Sequence, residues 1–407
     1  MHKYIEKLLN GRKVEWRSLE EIAVYRRGSF PQPYGEAKWY GGEGSMPFVQ
    51  VYDVNENMNL NEKTKKTISK LAQHKSVYVP KGTVIVSLQG SIGRVAITQY
   101  DSYVDRTLAI FTEYKIDINK KYFAYQLKRI FDIKKQKARG STLKTITKEE
   151  FSKFKIPIPP IDVQREIVRV LDNFTELTAE LTAELTAELS LRKKQYEYYR
   201  DKLLSFGDEV EWKELGKIAK ISSGGTPKTS ISEYYNGDVP WLRTQEINFN
   251  EIWNTSKKIT KLGLENSSAK WIPENCVILA MYGATVGKVA INKIPLTTNQ
   301  ACANIQVDEN IIHYKFLFYY LYNQYHYIKS LGTGSQTNIN AQIVKKLKIP
   351  IPPIKKQKEI VEILDKFDTL TNSITEGLPK EISLRQKQYE YYRGMLLDFP
   401  KKDKNEL

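Results

Sequence analysis

The sequence predicts an α+β protein: two mixed α/β domains separated by two long, antiparallel, coiled-coil-like helices, with internal duplication and pseudo-two-fold symmetry. Three observations carry this. A long block recurs at a constant offset of 193 residues. The block has helical periodicity, whereas the segments between its copies alternate short β-rich runs with Gly and Pro turns. A chain of 407 residues also exceeds what one compact core of ordinary size holds.

The duplication is explicit. "FKIPIPPIDVQREIVRVLDNF" (Phe154 to Phe174) returns as "LKIPIPPIKKQKEIVEILDKF" (Leu347 to Phe367), and "LSLRKKQYEYYRDKLLSF" (Leu189 to Phe206) returns as "ISLRQKQYEYYRGMLLDF" (Ile382 to Phe399). Weaker matches join the segments before them: "VEWRSLEEIA" with "VEWKELGKIA", "GSFP" with "GGTP", and "PKGTVIVSLQGSIGRVAI" with "PENCVILAMYGATVGKVAI". The N-terminal "YIEKLLNGRKVEW" resembles the tail of the first block, "YYRDKLLSFGDEVEW". The repeat is therefore cyclic in order, which predicts that the two chain ends lie close together.

Taken in chain order, residues 1–155 form the first variable domain and 156–208 the first helical block. Residues 209–348 form the second variable domain and 349–407 the second helical block. Strands are expected at runs such as "GTVIVSL" and "CVILAMY", with helices such as "KYFAYQLKRIFDIKKQ" after them. "IPIPP" opens each block as an extended segment, because each Pro fixes its own φ and disfavours the helical region for its predecessor. Asp162 can then cap a helix in which Ile167, Leu171, Phe174, Leu177, Leu181, Leu185 and Leu189 recur at steps of three or four. No Gly or Pro interrupts it before Gly207, which allows about 40 residues and about 60 Å. The second copy should break near Gly377 and restart with Pro379 in its first turn.

Composition narrows the function. Hydrophobic residues are 41% and charged residues 27%, as in a soluble globular protein. No apolar run reaches the length of a membrane span and the N-terminus lacks signal-peptide character, so a cytoplasmic protein with no membrane partner is expected. Cys276 and Cys302 alone cannot build a disulfide framework or a four-cysteine zinc site. The formal charge of +16, from 63 basic and 47 acidic residues, points to a polyanionic partner. Twelve of the basic residues fall between Lys120 and Lys155, against Asp132, Glu149 and Glu150. A solvated basic surface is the alternative.

Catalytic motifs are missing. "GATVGK" (Gly283 to Lys288) has one residue too few between its glycines for a phosphate loop, and Val289 stands where Ser or Thr would bind Mg. Its counterpart "GSIGR" makes a β-hairpin turn the better account. No HExxH, CxxC, GxSxG or dinucleotide fingerprint occurs, nor an Asn or Asp followed by Pro-Pro and an aromatic. His2, His74, His313 and His326 share no ligand spacing.

A variable domain, a Pro-led helix, a second variable domain and the same helix again resembles the specificity subunit of type I restriction–modification systems. The duplicated "QYEYYR" blocks, the "IPIPP" segments and three consecutive TAEL units (Thr178 to Leu189) carry the resemblance, and TAEL is similar to one subgroup. It implies two target recognition domains, each reading half of a bipartite site on double-stranded DNA. It further implies that the helices hold two modification subunits, which bind S-adenosylmethionine and methylate adenine N6. Restriction subunits using ATP and Mg would join them. No cofactor is expected on this chain, which would be non-catalytic alone, with no catalytic or metal-binding residues. The alternative is a coiled-coil scaffold whose domains bind RNA or protein.

Bases are read by paired donors and acceptors, phosphates by Lys, Arg, hydroxyls and amides. In the first domain that chemistry selects Gln50 and Tyr52, then Gln89, Ser91 and Arg94 at the Gly turn, then Arg139, Ser141, Thr142 and Lys144. In the second it selects Arg243, Thr244 and Gln245, then Tyr282, Thr285 and Lys288, then Thr333, Ser335, Gln336 and Asn338. Ordinary polar loop residues are the alternative for each. Tyr198, Tyr199, Tyr391 and Tyr392 are expected mainly in the core, with docking as the alternative. Leu177, Leu181, Leu185 and Leu189 are expected as the packing seam of the TAEL helix. Each TAEL adds about 6 Å and a net rotation of about 40°, close to the roughly 34–36° of one base-pair step. The repeat therefore reads as an adjustable spacer.

Overall fold

The computed structural model describes residues 3–137, 146–332, 338–373 and 375–400, with the side chains of 135–137 left out. The chain divides into two compact units. One combines residues up to Thr182 with those from Leu384 onward; the other is Ala183–Ser383.

The first unit has two four-stranded sheets. One runs in the order Ala23–Arg27, Leu108–Tyr114, Val84–Ser87, Val95–Ile97, all antiparallel. The other runs Lys66–Ile68, Met46–Val49, Ser102–Val104, Val77–Val79, with a parallel central pair. The second unit repeats the plan. A five-stranded sheet runs Ala219–Ser223, Cys302–Val307, Val277–Ala280, Val289–Asn292, Asn250–Ile252, and a three-stranded one Lys258–Ile259, Tyr235–Leu242, Thr297–Thr298. Val84–Ser87, Val277–Ala280 and Val289–Asn292 are buried at every position, which suits strands covered on both faces.

A helix covers the hairpin-bearing sheet in each unit. In the first it is Lys120–Lys137, whose Tyr122, Phe123 and Phe131 are fully buried with Phe151. Gly93 lets it approach, because a Cβ there would lie 2.5 Å from Phe131 while the backbone holds a φ of +77°. In the second it is Tyr314–Asn323, buried from Phe316 to Leu321.

"IPIPP" is extended as expected, and it pairs. Lys155–Ile158 runs antiparallel to Glu15–Ser18, and Lys348–Ile351 to Glu211–Glu214, with Pro157 opposite Trp16 and Pro350 opposite Trp212. A two-stranded ribbon tolerates these prolines because its outer edges need no ladder donor.

The helix that follows spans Ile161–Leu203, 43 residues. It begins one residue before Asp162, so Asp162 sits in the first turn instead of capping it. Its carboxylate accepts two hydrogen bonds from Arg12, at 2.8 and 2.9 Å. The second block forms Ile354–Asn372 and Gly377–Leu396, broken where Gly377 takes a φ of +74°. Pro379 lies in the restarted first turn, where its missing N–H is harmless.

The first and last described segments enter one core. Ile5 and Leu9 share the first unit's apolar cluster with Leu396, Leu397 and Phe399. Gln126 Nε2 donates to the Leu397 carbonyl at 3.1 Å, and Trp16 Nε1 to that of Pro400 at 3.3 Å.

The four-leucine seam is corrected in one place. Leu177 is 60% exposed, whereas Thr175, Thr178, Leu181, Thr182, Leu185 and Leu189 are half-buried. A row repeating every four residues drifts about 40° per step on a helix of 3.6 residues per turn. Four such leucines span about 120°, so Leu177 is turned furthest from Leu189. No described helix is long and apolar enough to cross a membrane.

Candidate nucleic-acid interface

The two Gly turns are β-hairpins. Val84–Ser87 pairs antiparallel with Val95–Ile97, and Val277–Ala280 with Val289–Asn292. Gly90 and Gly93 take φ of +71° and +77°, and Gly283 and Gly287 take +83° and +82°, a region only glycine enters freely. Ser87 Oγ closes the first turn, donating to the Ser91 carbonyl and accepting from the Arg94 amide.

Each hairpin lies beside the segment after the "MPF" or "PWL" strand. A Cβ on Gly90 would lie 3.8 Å from Val51, and Arg94 Nη1 donates to the Val54 carbonyl at 2.9 Å. In the second unit Thr285 Oγ1 donates to the Thr244 carbonyl at 2.7 Å, and Lys288 Nζ to Asn248 Oδ1 at 2.6 Å. Asn338 joins this group, because the next amide, Ile339, bonds the Met281 carbonyl at 2.9 Å. The structure thus brings together groups that lie far apart in the chain.

The adjoining segments share one local design. Gln50 and Arg243 each precede a short 3₁₀ turn closed by a carboxylate three residues on. The Gln50 amide donates to Asp53 at 2.9 Å, the Arg243 amide to Glu246 at 3.4 Å. Asp53 is fully buried and burial raises its pKa, opposed by backbone amides of Gln50 and Lys65. The turn projects Tyr52 in the first unit and Gln245 in the second.

The candidate side chains differ in freedom. Ser91, Gln245 and Tyr282 are exposed, while Tyr52, Gln89 and Asn338 are half-buried. Gln50 and Thr244 are only 7% exposed, and Gln50 Oε1 accepts from the Tyr52 hydroxyl, whose pKa burial pushes up to about 12. Arg94 and Thr285 are tied to backbone carbonyls within their own unit. Arg139, Ser141, Thr142, Lys144, Thr333, Ser335 and Gln336 lie outside the described residues.

The basic run after Lys120 is partly consumed internally. Lys121 pairs with Asp172 at 2.7 Å, Lys128 approaches Glu56 at 3.5 Å, Arg129 binds Asp398, and Lys134 lies 4.5 Å from the Phe154 ring. Other cations, outside that run, stand on or beside the sheet that contains Met46–Val49. Lys65 lies 4.7 Å from the Tyr52 ring, Lys66 4.6 Å from Tyr40, and Arg106 4.7 Å from Phe30. Each pair joins distant segments, so no local pattern marks it.

The tyrosine pairs split. Tyr199 and Tyr392 pack on Phe367 and Phe174, at 5.7 and 5.9 Å. Tyr198 and Tyr391 are 60% and 63% exposed, as are Leu191 and Leu384 at 65% and 44%. Tyr199 and Tyr392 are themselves 36% and 40% exposed, so the expectation of core packing is corrected for all four: two of them lean on a neighbouring ring while staying open to solvent.

Known proteins fit this arrangement. The chain is 39% identical to the type I restriction enzyme EcoR124I/EcoR124II specificity subunit of Escherichia coli, covering 98% of this chain and 97% of that one. It is 32% identical to a putative type I restriction enzyme specificity subunit of Haemophilus influenzae, covering 97% and 98%. In fold it is similar to a chain from a solved type I restriction–modification system, with a TM-score of 0.68 at 15% identity over 95% of this chain and 97% of that one. The HsdS subunit of Thermoanaerobacter tengcongensis superposes with a TM-score of 0.58 at 14% identity, covering 95% and 96%. Residues 12–191 and 207–384 each match the type I restriction modification DNA specificity domain, so the chain belongs to that family and carries its domain twice.

Proposed function

We propose that this chain selects the DNA sequence for a type I restriction–modification complex, supplying specificity while partner subunits supply the chemistry. Residues 1–155 and 209–348 each read one half of a bipartite site on double-stranded DNA. The blocks 156–208 and 349–407 set the distance between half-sites and dock two modification subunits. Those subunits would carry S-adenosylmethionine for adenine methylation. Restriction subunits would bring ATP, Mg and cleavage.

The observation that carries this is the repetition of one reading unit, with the same hairpin and capped 3₁₀ turn but different projecting side chains. Tyr52 stands where the second unit has Gln245, and Gln89 where it has Tyr282. A common scaffold with unlike tips suits recognition of two unlike half-sites. Exposure of Leu191 with Tyr198, and of their counterparts Leu384 with Tyr391, offers the same apolar face twice, as two identical partners require.

The test is to reconstitute the chain with its modification subunit and map the methylated adenines on a random duplex library. One bipartite motif with a fixed spacer supports the function. Absence of selective duplex binding against random competitor, or a preference for RNA, would overturn it.

A further inference from the structure

We propose that Lys65 and Arg106 are phosphate-contacting residues of the first unit whose equivalent positions in the second are neutral, so the two half-sites are gripped by differently placed cations. This rests on the DNA-reading function above. Lys65 Nζ lies 4.7 Å from the Tyr52 ring, and the Arg106 guanidinium 4.7 Å from Phe30, which itself packs edge-on against Tyr34 at 4.8 Å. Both cations are exposed. Ion pairs of this unit engage Arg12, Lys38, Arg94, Lys121, Lys128 and Arg129 among others, whereas no described carboxylate lies within ion-pair distance of Lys65 or Arg106, although the charge of Lys65 acts on the buried Asp53.

Such placement suits a polyanion. An aromatic face orders a flexible cation without neutralising it, so less side-chain entropy is lost when a phosphate arrives. Tyr52 belongs to the turn beside the Gly90 hairpin, so Lys65 borders the candidate reading residues directly.

Equivalent positions in the second unit follow from backbone hydrogen bonds. The Ser29 amide bonds the Val104 carbonyl at 3.0 Å and the Gly225 amide that of Thr298 at 2.9 Å, so Phe30 corresponds to Thr226. The Asp105 amide bonds the Val49 carbonyl at 3.0 Å and the Asn299 amide that of Leu242 at 2.9 Å, so Arg106 corresponds to Gln300. There Thr226 Oγ1 donates to Gln300 Oε1, a neutral hydrogen bond in place of the cation on a ring. Strand register likewise sets Lys66 against Lys257, so Lys65 corresponds to Ser256 and Tyr52 to Gln245. One lysine is kept and two cations with their aromatic supports are replaced by neutral groups, while Lys258 stands where the first unit has Thr67 and Lys228 where it has Gln32.

Counterion release makes the difference measurable. Each phosphate neutralised on duplex DNA adds about 0.9 to the slope of log K against log salt concentration. The experiment uses the chain in complex with its modification subunits, with duplex affinity measured across a salt series. Lys65→Ser and Arg106→Gln should each lower the slope by about 0.9, and together by about 1.8, leaving both methylated half-sites unchanged. Transplanting the pair with Thr226→Phe and Gln300→Arg should raise it by about 0.9. An unaltered slope in both the double variant and the transplant, or a changed half-site sequence in the double variant, would overturn the proposal. The unsubstituted complex is measured first, so loss of the reading function itself is recognised separately.

Discussion

Phe174 lies 5.9 Å from Tyr392, ring centroid to centroid, in the first unit. Its repeat equivalent, Phe367, lies 5.7 Å from Tyr199 in the second. Each helical block gives its phenylalanine to one unit and its tyrosine to the other. The neighbouring contacts exchange roles in the same way. Asp172 accepts from Lys121 and Tyr125, and Asp365 accepts from Lys315 and Tyr319. The duplication is thus used in both directions, and each unit needs both blocks.

Removing these rings should cost unequal amounts. Phe367 contacts Tyr196 at 6.1 Å as well as Tyr199, whereas Phe174 is 37% exposed and meets Tyr392 alone among the ring contacts. Phe367→Ala should cost about 2–3 kcal/mol and Phe174→Ala about 1–2 kcal/mol. Urea unfolding followed by circular dichroism checks the order, and a larger loss for Phe174→Ala would contradict this packing.

Gln164 and Gln357 fasten the start of each helix to its domain. Gln164 accepts from the Asn119 amide at 3.0 Å and donates to the Pro159 carbonyl at 2.8 Å. Gln357 accepts from the His313 amide at 2.8 Å and donates to the Pro352 carbonyl at 2.8 Å. Leucine at either site would leave a buried donor and acceptor unpaired, at about 2–4 kcal/mol. Amide exchange at Asn119 should then speed up in Gln164→Leu, and unchanged protection there would refute the bond.

The thiols should be inert in the folded protein. Cys276 and Cys302 are 1% and 0% exposed, and burial pushes both up to about 12. Thiolate is the reactive species, so at a pH of about 8 little of it exists. A colourimetric thiol titration should find no fast-reacting group in native protein and both groups in guanidinium. Rapid native labelling would show that one of these cores opens.

Deleting Thr182–Leu185 removes one TAEL from the long helix. About 6 Å and a net 40° of rotation are lost, near the rotation of one base-pair step. The preferred spacer should shorten by one base pair with both half-sites kept. A methylation map of the deletion decides it, and altered half-sites would reject the spacer role.

Sequence alone determined the duplication, the extended "IPIPP" segments, the long helix and its break near Gly377. Each rests on local backbone preference or on repetition, and both are written along the chain. The hairpin at "GATVGK" was legible for the same reason, since glycine at positive φ is a local signal. Where the covered stretch of leucines begins was not legible, because a four-residue period drifts and only packing decides that Leu177 is left exposed. Tertiary structure alone paired Arg106 with Phe30 and Thr226 with Gln300, residues whose strands and loops meet only in the folded sheet. It also set Tyr199, 36% exposed, against the Phe367 ring and left its neighbour Tyr198 60% exposed. Sequence sets which groups are present and their local geometry. Which of them remain free to meet DNA depends on what the rest of the unit has already bonded.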